Sequence, residues 1–132
     1  MAHYNIIHID DNASTISDVG KAATQQSLTY CSADSLDSLD SLLQNDSADV
    51  FVVDGMFPVR TGEEVQYLAP NAIEKIRARQ LSARIVLYSG EEDIAAKAAK
   101  LSVDFLRKGG VTGLARDLVT KVKTMIEEPI KV

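Results

Sequence analysis

The sequence predicts an α/β fold, a doubly wound five-stranded parallel sheet with helices on both faces. Short apolar runs alternate with segments of helical periodicity five times along the 132 residues, which is typical of β-α units. Residues 50–53 are apolar without interruption, as expected of a strand buried on both faces. No linker-like stretch breaks the alternation, so we expect a single domain over residues 1–132.

The first half of the chain supplies three predicted strands and two predicted helices. The strands are expected at residues 4–9, 28–31 and 50–54, where apolar residues dominate. Ser14 is expected to cap the first helix and Ser35 the second, because serine side chains accept hydrogen bonds from free backbone N–H groups. The apolar faces of these helices are Ile16, Val19, Ala22 and Ala23 in the first, and Leu36, Leu39, Leu42 and Leu43 in the second.

The second half begins with a region rich in turn-forming residues, 55–62, which predicts a loop. A helical pattern then runs over 65–76, and Pro70 within it predicts a helix in two pieces because proline lacks an N–H. The remaining predicted elements are strands at 84–88 and 103–107, a short helix with Ile94, Ala98 and Leu101 inside, and a last helix with Leu114, Leu118, Val122 and Ile126 inside that Pro129 ends.

Composition and charge exclude several classes of protein. The formal net charge is −5 with both signs mixed along the chain, whereas proteins that bind nucleic acid usually gather Lys and Arg on one face. Cys31 is the single cysteine, so it has no partner for an internal disulfide. There is no signal-peptide pattern and no apolar run near the ~20 residues of a membrane span. We therefore expect a cytoplasmic protein that binds neither nucleic acid nor membranes directly.

Charged and polar side chains lie at the predicted carboxyl ends of the strands. Asp10 and Asp11 follow the first strand, Asp54 the third, Ser89 the fourth and Lys108 the fifth, and ligands bind at this edge of parallel α/β sheets. Two carboxylates about 4 Å apart repel by roughly 4 kcal/mol at an effective dielectric constant of about 20, so three together need a proton or a cation. Oxygen ligands without nearby His or Cys favour Mg²⁺. We interpret this set as a site for phosphoryl transfer.

With these residues in view, the chain resembles the receiver domain of bacterial two-component response regulators, in particular single-domain receivers of the chemotaxis type. The resemblance covers the whole chain and implies a flavodoxin-like (βα)5 fold with strand order 2-1-3-4-5. It also implies a phosphoprotein of two-component or phosphorelay signal transduction. The motif positions that carry it are the Asp10-Asp11 pair, the 54–58 loop with Gly62 four residues after its proline, Ser89, Phe105 and Lys108.

The resemblance implies a role for each motif residue. Asp54 would accept a phosphoryl group from the phosphohistidine of a sensor histidine kinase or phosphotransfer protein, so the chain would catalyse only its own phosphorylation and dephosphorylation. Lys108 and the Ser89 hydroxyl would each bind a phosphoryl oxygen. Ser89 would move inward and Phe105 would turn from exposed to buried, which changes the face offered to a downstream protein target. The implied Mg²⁺ ligands are Asp11, Asp54, the backbone carbonyl of Met56 and, through a water, Asp10.

The chain also departs from the family pattern. Gly109 follows Lys108, where many members have proline, and Phe105 lacks the hydroxyl of the more common tyrosine. The connection over 62–84 is longer than usual, and the segment over 89–108 is shorter. The shortening falls on the customary signalling face.

Other functions fit the same fold, because fold alone does not define function. The chain could be a receiver-shaped interaction module that is not phosphorylated. It could also be a phosphatase with an aspartate nucleophile, but such enzymes usually carry a second acid two positions later, where this chain has Met56. A flavin site is disfavoured because the Asp-Asp-Asn sequence of the first loop repels phosphate. His8 is interpreted as a core residue, since no second His or Cys is placed to share a metal with it.

Overall fold

Five parallel strands form the central sheet of the computed structural model, which describes residues 2–109 and 113–128. The sheet has the order β2-β1-β3-β6-β7, and β4 pairs with β5 in a separate hairpin. The predicted doubly wound fold is therefore confirmed. The elements in chain order are β1 (His3–Ile9), α1 (Ala13–Gln25), β2 (Tyr30–Ala33), α2 (Leu36–Asn45), β3 (Ser47–Val53), β4 (Met56–Pro58), β5 (Val65–Tyr67), α3 (Ala69–Arg79), β6 (Arg84–Ser89), α4 (Ile94–Leu101), β7 (Asp104–Arg107) and α5 (Ala115–Glu127).

Successive side chains of each strand point to opposite faces of the sheet, and helices cover both faces. The sheet therefore buries apolar side chains on both sides. Helices α2, α3 and α4 cover one face, which we call the three-helix face, and α1 and α5 cover the other, the two-helix face. In β3, Phe51 and Val53 point to the three-helix face, while Val50 and Val52 point to the two-helix face. All four side chains are fully buried, as the uninterrupted apolar run predicts.

Two predictions in the first half need correction. Helix α1 is capped by Asn12, whose side chain accepts a hydrogen bond from the Thr15 N–H at 3.1 Å, and Ser14 lies inside the first turn. The second strand lies two residues later than predicted, because the chain after α1 first turns through Ser27, which has a φ of 60°. The predicted Ser35 cap of α2 is confirmed by the bond from the Ser38 N–H to its side chain at 3.1 Å.

The predicted loop and two-piece helix after β3 are wrong. The segment instead forms the β4–β5 hairpin, in which Met56 pairs with Tyr67 and Pro58 with Val65, followed by the single helix α3. Pro70 lies in the first turn of α3, where the missing N–H breaks no helical bond. All of β5 is exposed, so the apolar pattern beginning at Val65 does not mark one helix face.

The last helix, α5, runs from Ala115 with Leu114 at its N-cap. Pro129, which is predicted to end it, lies outside the described residues. In the described part of the chain, no helix combines the length and the apolar character needed to cross a membrane.

Candidate functional site

The carboxyl edge of the sheet gathers the predicted site residues. Asp10 and Asp54 directly follow β1 and β3, Ser89 ends β6, and Lys108 directly follows β7. Asp10, Asp54 and Ser89 are buried, with 0%, 8% and 3% of their surface exposed. Asp11 is exposed beside them. Residues almost 100 positions apart therefore meet in one site, as the sheet topology predicts.

Lys108 connects the two buried carboxylates. Its Nζ lies 2.7 Å from Asp10 Oδ2 and 3.6 Å from Asp54 Oδ1. The ammonium also lies 5.5 Å from the centre of the Tyr88 ring, over its face. The Lys108 backbone N–H bonds the Ser89 carbonyl at 2.9 Å, so its backbone is fixed against β6. In this state the lysine is closer to Asp10 than to Asp54.

Asp10 is held as a carboxylate despite complete burial. Burial alone would raise the pKa of Asp10, but the His8 ring, the Lys108 ammonium and the Asn12 backbone N–H outweigh that effect and lower it to about 2. The Asn12 N–H donates to Asp10 Oδ1 at 2.9 Å. Both oxygens of Asp10 thus face donors inside the protein.

Asp54 behaves in the opposite way. Burial, together with the negative charge of Asp10, raises the pKa of Asp54 to about 7, although Lys108 and the Gly55 N–H oppose the rise. The Gly55 N–H donates to Asp54 Oδ1 at 2.8 Å. A second cation would favour the ionised form of Asp54, so the site favours metal binding electrostatically.

The three acidic residues can hold a metal ion together. One carboxylate oxygen from each of Asp10, Asp11 and Asp54 lies within 4.8 Å of the others. This set consists of hard oxygen donors and opens to solvent at Asp11, which suits Mg²⁺ with several waters. The carboxylates therefore fit the ion that the sequence predicts. Met56 opens β4 two residues after Asp54, and the ligand role of its carbonyl stays a prediction.

A small space beside Asp54 is kept open by glycine. A Cβ atom added at Gly55 would lie 3.1 Å from Ser89 Oγ and 2.9 Å from Glu91 Oε1. The Glu91 N–H also donates to Ser89 Oγ at 3.4 Å. Gly55 therefore lets the backbone after Asp54 lie close to the Ser89 hydroxyl and the Glu91 carboxylate.

The β4–β5 hairpin contacts the rim of this space. Lys97 of α4 forms an ion pair with Glu91, and its ammonium lies 4.5 Å from the centre of the Tyr67 ring on β5. Phe105 on β7 is 46% exposed, and its role in a switch stays a prediction.

Sequence reasoning missed His8 as part of the site. It is fully buried, and its Nε2 lies 3.6 Å from Asp10 Oδ2. That distance is too long for a hydrogen bond, and Nε2 has no hydrogen-bond partner among the described residues. Burial is also the main cause that lowers the pKa of His8. The available signal was its position two residues before Asp10, since strand residues two apart share a face.

The chain matches no protein-family model and no curated protein, but solved structures share its fold. The receiver domain of a Francisella response regulator is 13% identical, with a TM-score of 0.74 over 94% of this chain and 97% of that one. A response regulator receiver domain from Clostridium thermocellum is 21% identical, with a TM-score of 0.71 over 96% and 94%. The BeF3-activated receiver domain of DrrB is 18% identical, with a TM-score of 0.73 over 96% and 99%. The chain therefore has the fold of response regulator receiver domains, and the predicted resemblance is confirmed at the level of fold.

Proposed function

We propose that this chain is a phospho-accepting receiver of a two-component or phosphorelay system. Asp54 takes a phosphoryl group from a phosphohistidine of a sensor histidine kinase or phosphotransfer protein in the cytoplasm. The phosphorylated form then presents a changed face to a downstream protein target. The chain acts on no separate substrate and catalyses only the phosphorylation and dephosphorylation of Asp54.

One observation carries this proposal, the grouping of a buried aspartate with two further carboxylates and an ammonium. Asp54 shares a potential metal site with Asp10 and Asp11, and Lys108 Nζ lies 3.6 Å from its Oδ1. A merely structural aspartate needs neither the neighbouring carboxylates nor a raised pKa. Perturbed carboxylates grouped at the carboxyl end of a parallel sheet are typical of functional sites.

The transfer step follows from the contacts of Asp54. The Gly55 N–H holds Oδ1, which leaves Oδ2 as the attacking oxygen. A P–O bond to Asp54 forms while the P–N bond to the donor imidazole breaks, and the bonding electron pair returns to the imidazole nitrogen. Asp10, Asp11 and Asp54 would hold Mg²⁺, and the bound ion would supply charge neutralisation for the phosphoryl oxygens. Lys108 turns from Asp10 toward the new phosphoryl group, which offers more acceptor oxygens.

The switch depends on Ser89 and Phe105. The Ser89 hydroxyl accepts only a long bond from the Glu91 N–H, 3.4 Å, so its proton is free to bind a phosphoryl oxygen. Its inward movement shifts the start of the β6–α4 connection and makes room for the exposed Phe105 ring to turn inward. Because phosphate bonds Ser89 only in the inward state, it shifts a pre-existing equilibrium.

The test is incubation with a small-molecule phosphodonor and Mg²⁺, followed by intact-mass measurement. We expect a Mg²⁺-dependent, base-labile gain of one phosphoryl group in the native chain. Asp54→Ala should show no gain, because the nucleophile is absent. Asp18→Ala is the matched control, since Asp18 is an exposed carboxylate on α1 and should leave the gain intact.

The opposite outcome favours the scaffold. If no donor phosphorylates the chain and beryllium fluoride also fails to bind in the presence of Mg²⁺, the phospho-acceptor proposal is wrong. Beryllium fluoride is an informative probe because a structurally similar receiver domain is described as activated by it.

A further inference from the structure

His8 lies at the centre of a polar group that the transfer mechanism does not use. Its Nδ1 is 2.7 Å from the Tyr30 hydroxyl, and its Nε2 faces Asp10 Oδ2 at 3.6 Å. The Tyr30 hydroxyl also lies 3.3 Å from the Ile16 carbonyl of α1. The ring is fully buried, so its nitrogens are shielded from bulk water.

Burial disfavours the charged ring, and of the two neutral forms only one satisfies this group. If Tyr30 donates to the Ile16 carbonyl, His8 Nδ1 must donate to Tyr30, and a neutral ring then points a lone pair at the Asp10 carboxylate. If Tyr30 donates to His8 Nδ1, the Nε2–H points at Asp10 and the ring stays neutral. The Ile16 carbonyl loses little, because it lies in α1 and accepts the helical bond from the N–H four residues on. The 3.3 Å between the Tyr30 hydroxyl and the Ile16 carbonyl is long for an O–H···O bond, so the tyrosine proton is better placed on the 2.7 Å contact with His8.

We infer that His8 is a positioning residue for Asp10, with its tautomer fixed by the Tyr30 hydroxyl. The Nε2–H faces Asp10 Oδ2 across 3.6 Å from the core side, so it attracts the carboxylate without forming a hydrogen bond, opposite Lys108 at 2.7 Å. The Asn12 N–H meanwhile fixes Oδ1 at 2.9 Å. Two hydrogen bonds and the nearby Nε2–H dipole of His8 thus set the orientation of this carboxylate before any metal arrives.

The backbone of α1 is adapted to this group. A Cβ added at Gly20 would lie 3.3 Å from Cε1 of the Tyr30 ring, so glycine lets the ring lie close against the helix. Tyr30 and His8 also meet edge to face, with their ring centres 5.9 Å apart. Helix α1, Tyr30, His8 and Asp10 therefore form one continuous chain of contacts from the helix to the site.

The inference has a consequence for metal binding, and this part rests on the proposed function. A carboxylate held by its neighbours loses less freedom when it binds a metal or its water, and removal of such supporting bonds typically weakens metal affinity about tenfold or more. His8 should therefore strengthen the binding of Mg²⁺ without touching the ion.

The first experiment needs no metal. Two-bond ¹H–¹⁵N spectra of the histidine rings report which nitrogen carries the proton. We expect His8 in the neutral Nε2–H form, with an Nδ1 signal that moves in Tyr30→Phe, while the exposed His3 ring stays unchanged as an internal reference. A protonated Nδ1 in the native chain, with or without a proton on Nε2, would overturn the inference.

The second experiment compares two amides of different reach by calorimetric titration with Mg²⁺. In His8→Gln the side-chain N–H₂ takes the place of Nε2, so binding should stay within about twofold of the native chain. In His8→Asn the amide takes the place of Nδ1 and cannot reach Asp10, so the dissociation constant should rise about tenfold. In the ring spectra, Tyr4→Phe is the control for Tyr30→Phe, because Tyr4 packs on the three-helix face.

The outcomes separate the two proposals. Equal Mg²⁺ affinity of His8→Gln and His8→Asn would refute the positioning role. Absence of Mg²⁺ binding by the native chain would refute the proposed function instead, and the ring spectra would still decide whether the Nε2–H of His8 faces Asp10.

Discussion

The two faces of the sheet differ in the kind of side chain that they bury. The fully buried strand side chains on the three-helix face are apolar, and they include Phe51, one of the two largest fully buried side chains. The two-helix face places His8 and Tyr88 among valine and isoleucine side chains, with Tyr30 at its edge. The three-helix face buries the polar Ser89 only at its carboxyl edge, whereas the fully buried His8 lies inside the sheet on the two-helix side.

The difference shows how the fold divides its tasks. On the two-helix face each polar group is tied to backbone or to the site, since Tyr88 donates to the Gly113 carbonyl at 2.8 Å and also lies beneath Lys108. His8 in the same way lies beneath Asp10. Apolar packing on the three-helix face supplies stability, while the two-helix face exchanges some apolar packing for control over where the charged groups point.

The largest effect should come from breaking the three-helix face. Phe51→Ala removes a fully buried ring and should lower the free energy of unfolding by about 3–5 kcal/mol, measured by urea unfolding followed by circular dichroism. Leu81→Ala is the control, because Leu81 is 90% exposed and should change stability by less than about 0.5 kcal/mol. A loss below about 1 kcal/mol for Phe51→Ala would contradict the assignment of stability to this face.

The site above the faces should instead show stability that depends on pH. The pKa of Asp54 rises on folding from its ordinary 3.8 to about 7, so between these values the folded chain keeps a proton that the unfolded chain has lost. Asp54 therefore makes folding less favourable as the pH rises through this window. Asp54→Asn has no such proton and should exceed the native chain in stability by about 4 kcal/mol at pH 8, with almost no difference near pH 3.

The measurement is unfolding of both proteins with a chelator present, from pH 3 to pH 8. The difference between them isolates Asp54, because Asp10 and His8 titrate in both. If the difference in unfolding free energy between the two proteins does not change with pH, folding does not raise the pKa of Asp54. The contrast between an apolar face and an electrostatically costly site is then wrong.

The sequence was sufficient for the features that depend on local pattern. Uninterrupted apolar runs located β3, and the chemistry at the strand ends identified Asp10, Asp54 and Lys108 before any contact was known. The β4–β5 hairpin was missed because β5 is exposed and short, so neither burial nor alternation marks it. His8 was missed for a different reason. Its role depends on Tyr30, and the sequence does not show that the pairing of β1 with β2 places Tyr30 next to it.

The smallest effect should come from Gly20, the one glycine among the described helices. Gly20→Ala gains about 1 kcal/mol of helix propensity but places a methyl group 3.3 Å from the Tyr30 ring. We expect these effects to leave a net change below about 1 kcal/mol in unfolding. The Tyr30 hydroxyl should nevertheless move away from His8, so the His8 Nδ1 signal should change.

The control is Gly90→Ala, which has no atom within 4 Å of its added Cβ and should leave that signal unchanged. If Gly20→Ala gives the full propensity gain and an unaltered signal, α1 does not hold Tyr30 in place, and the two-helix face then positions its polar groups through the strands alone.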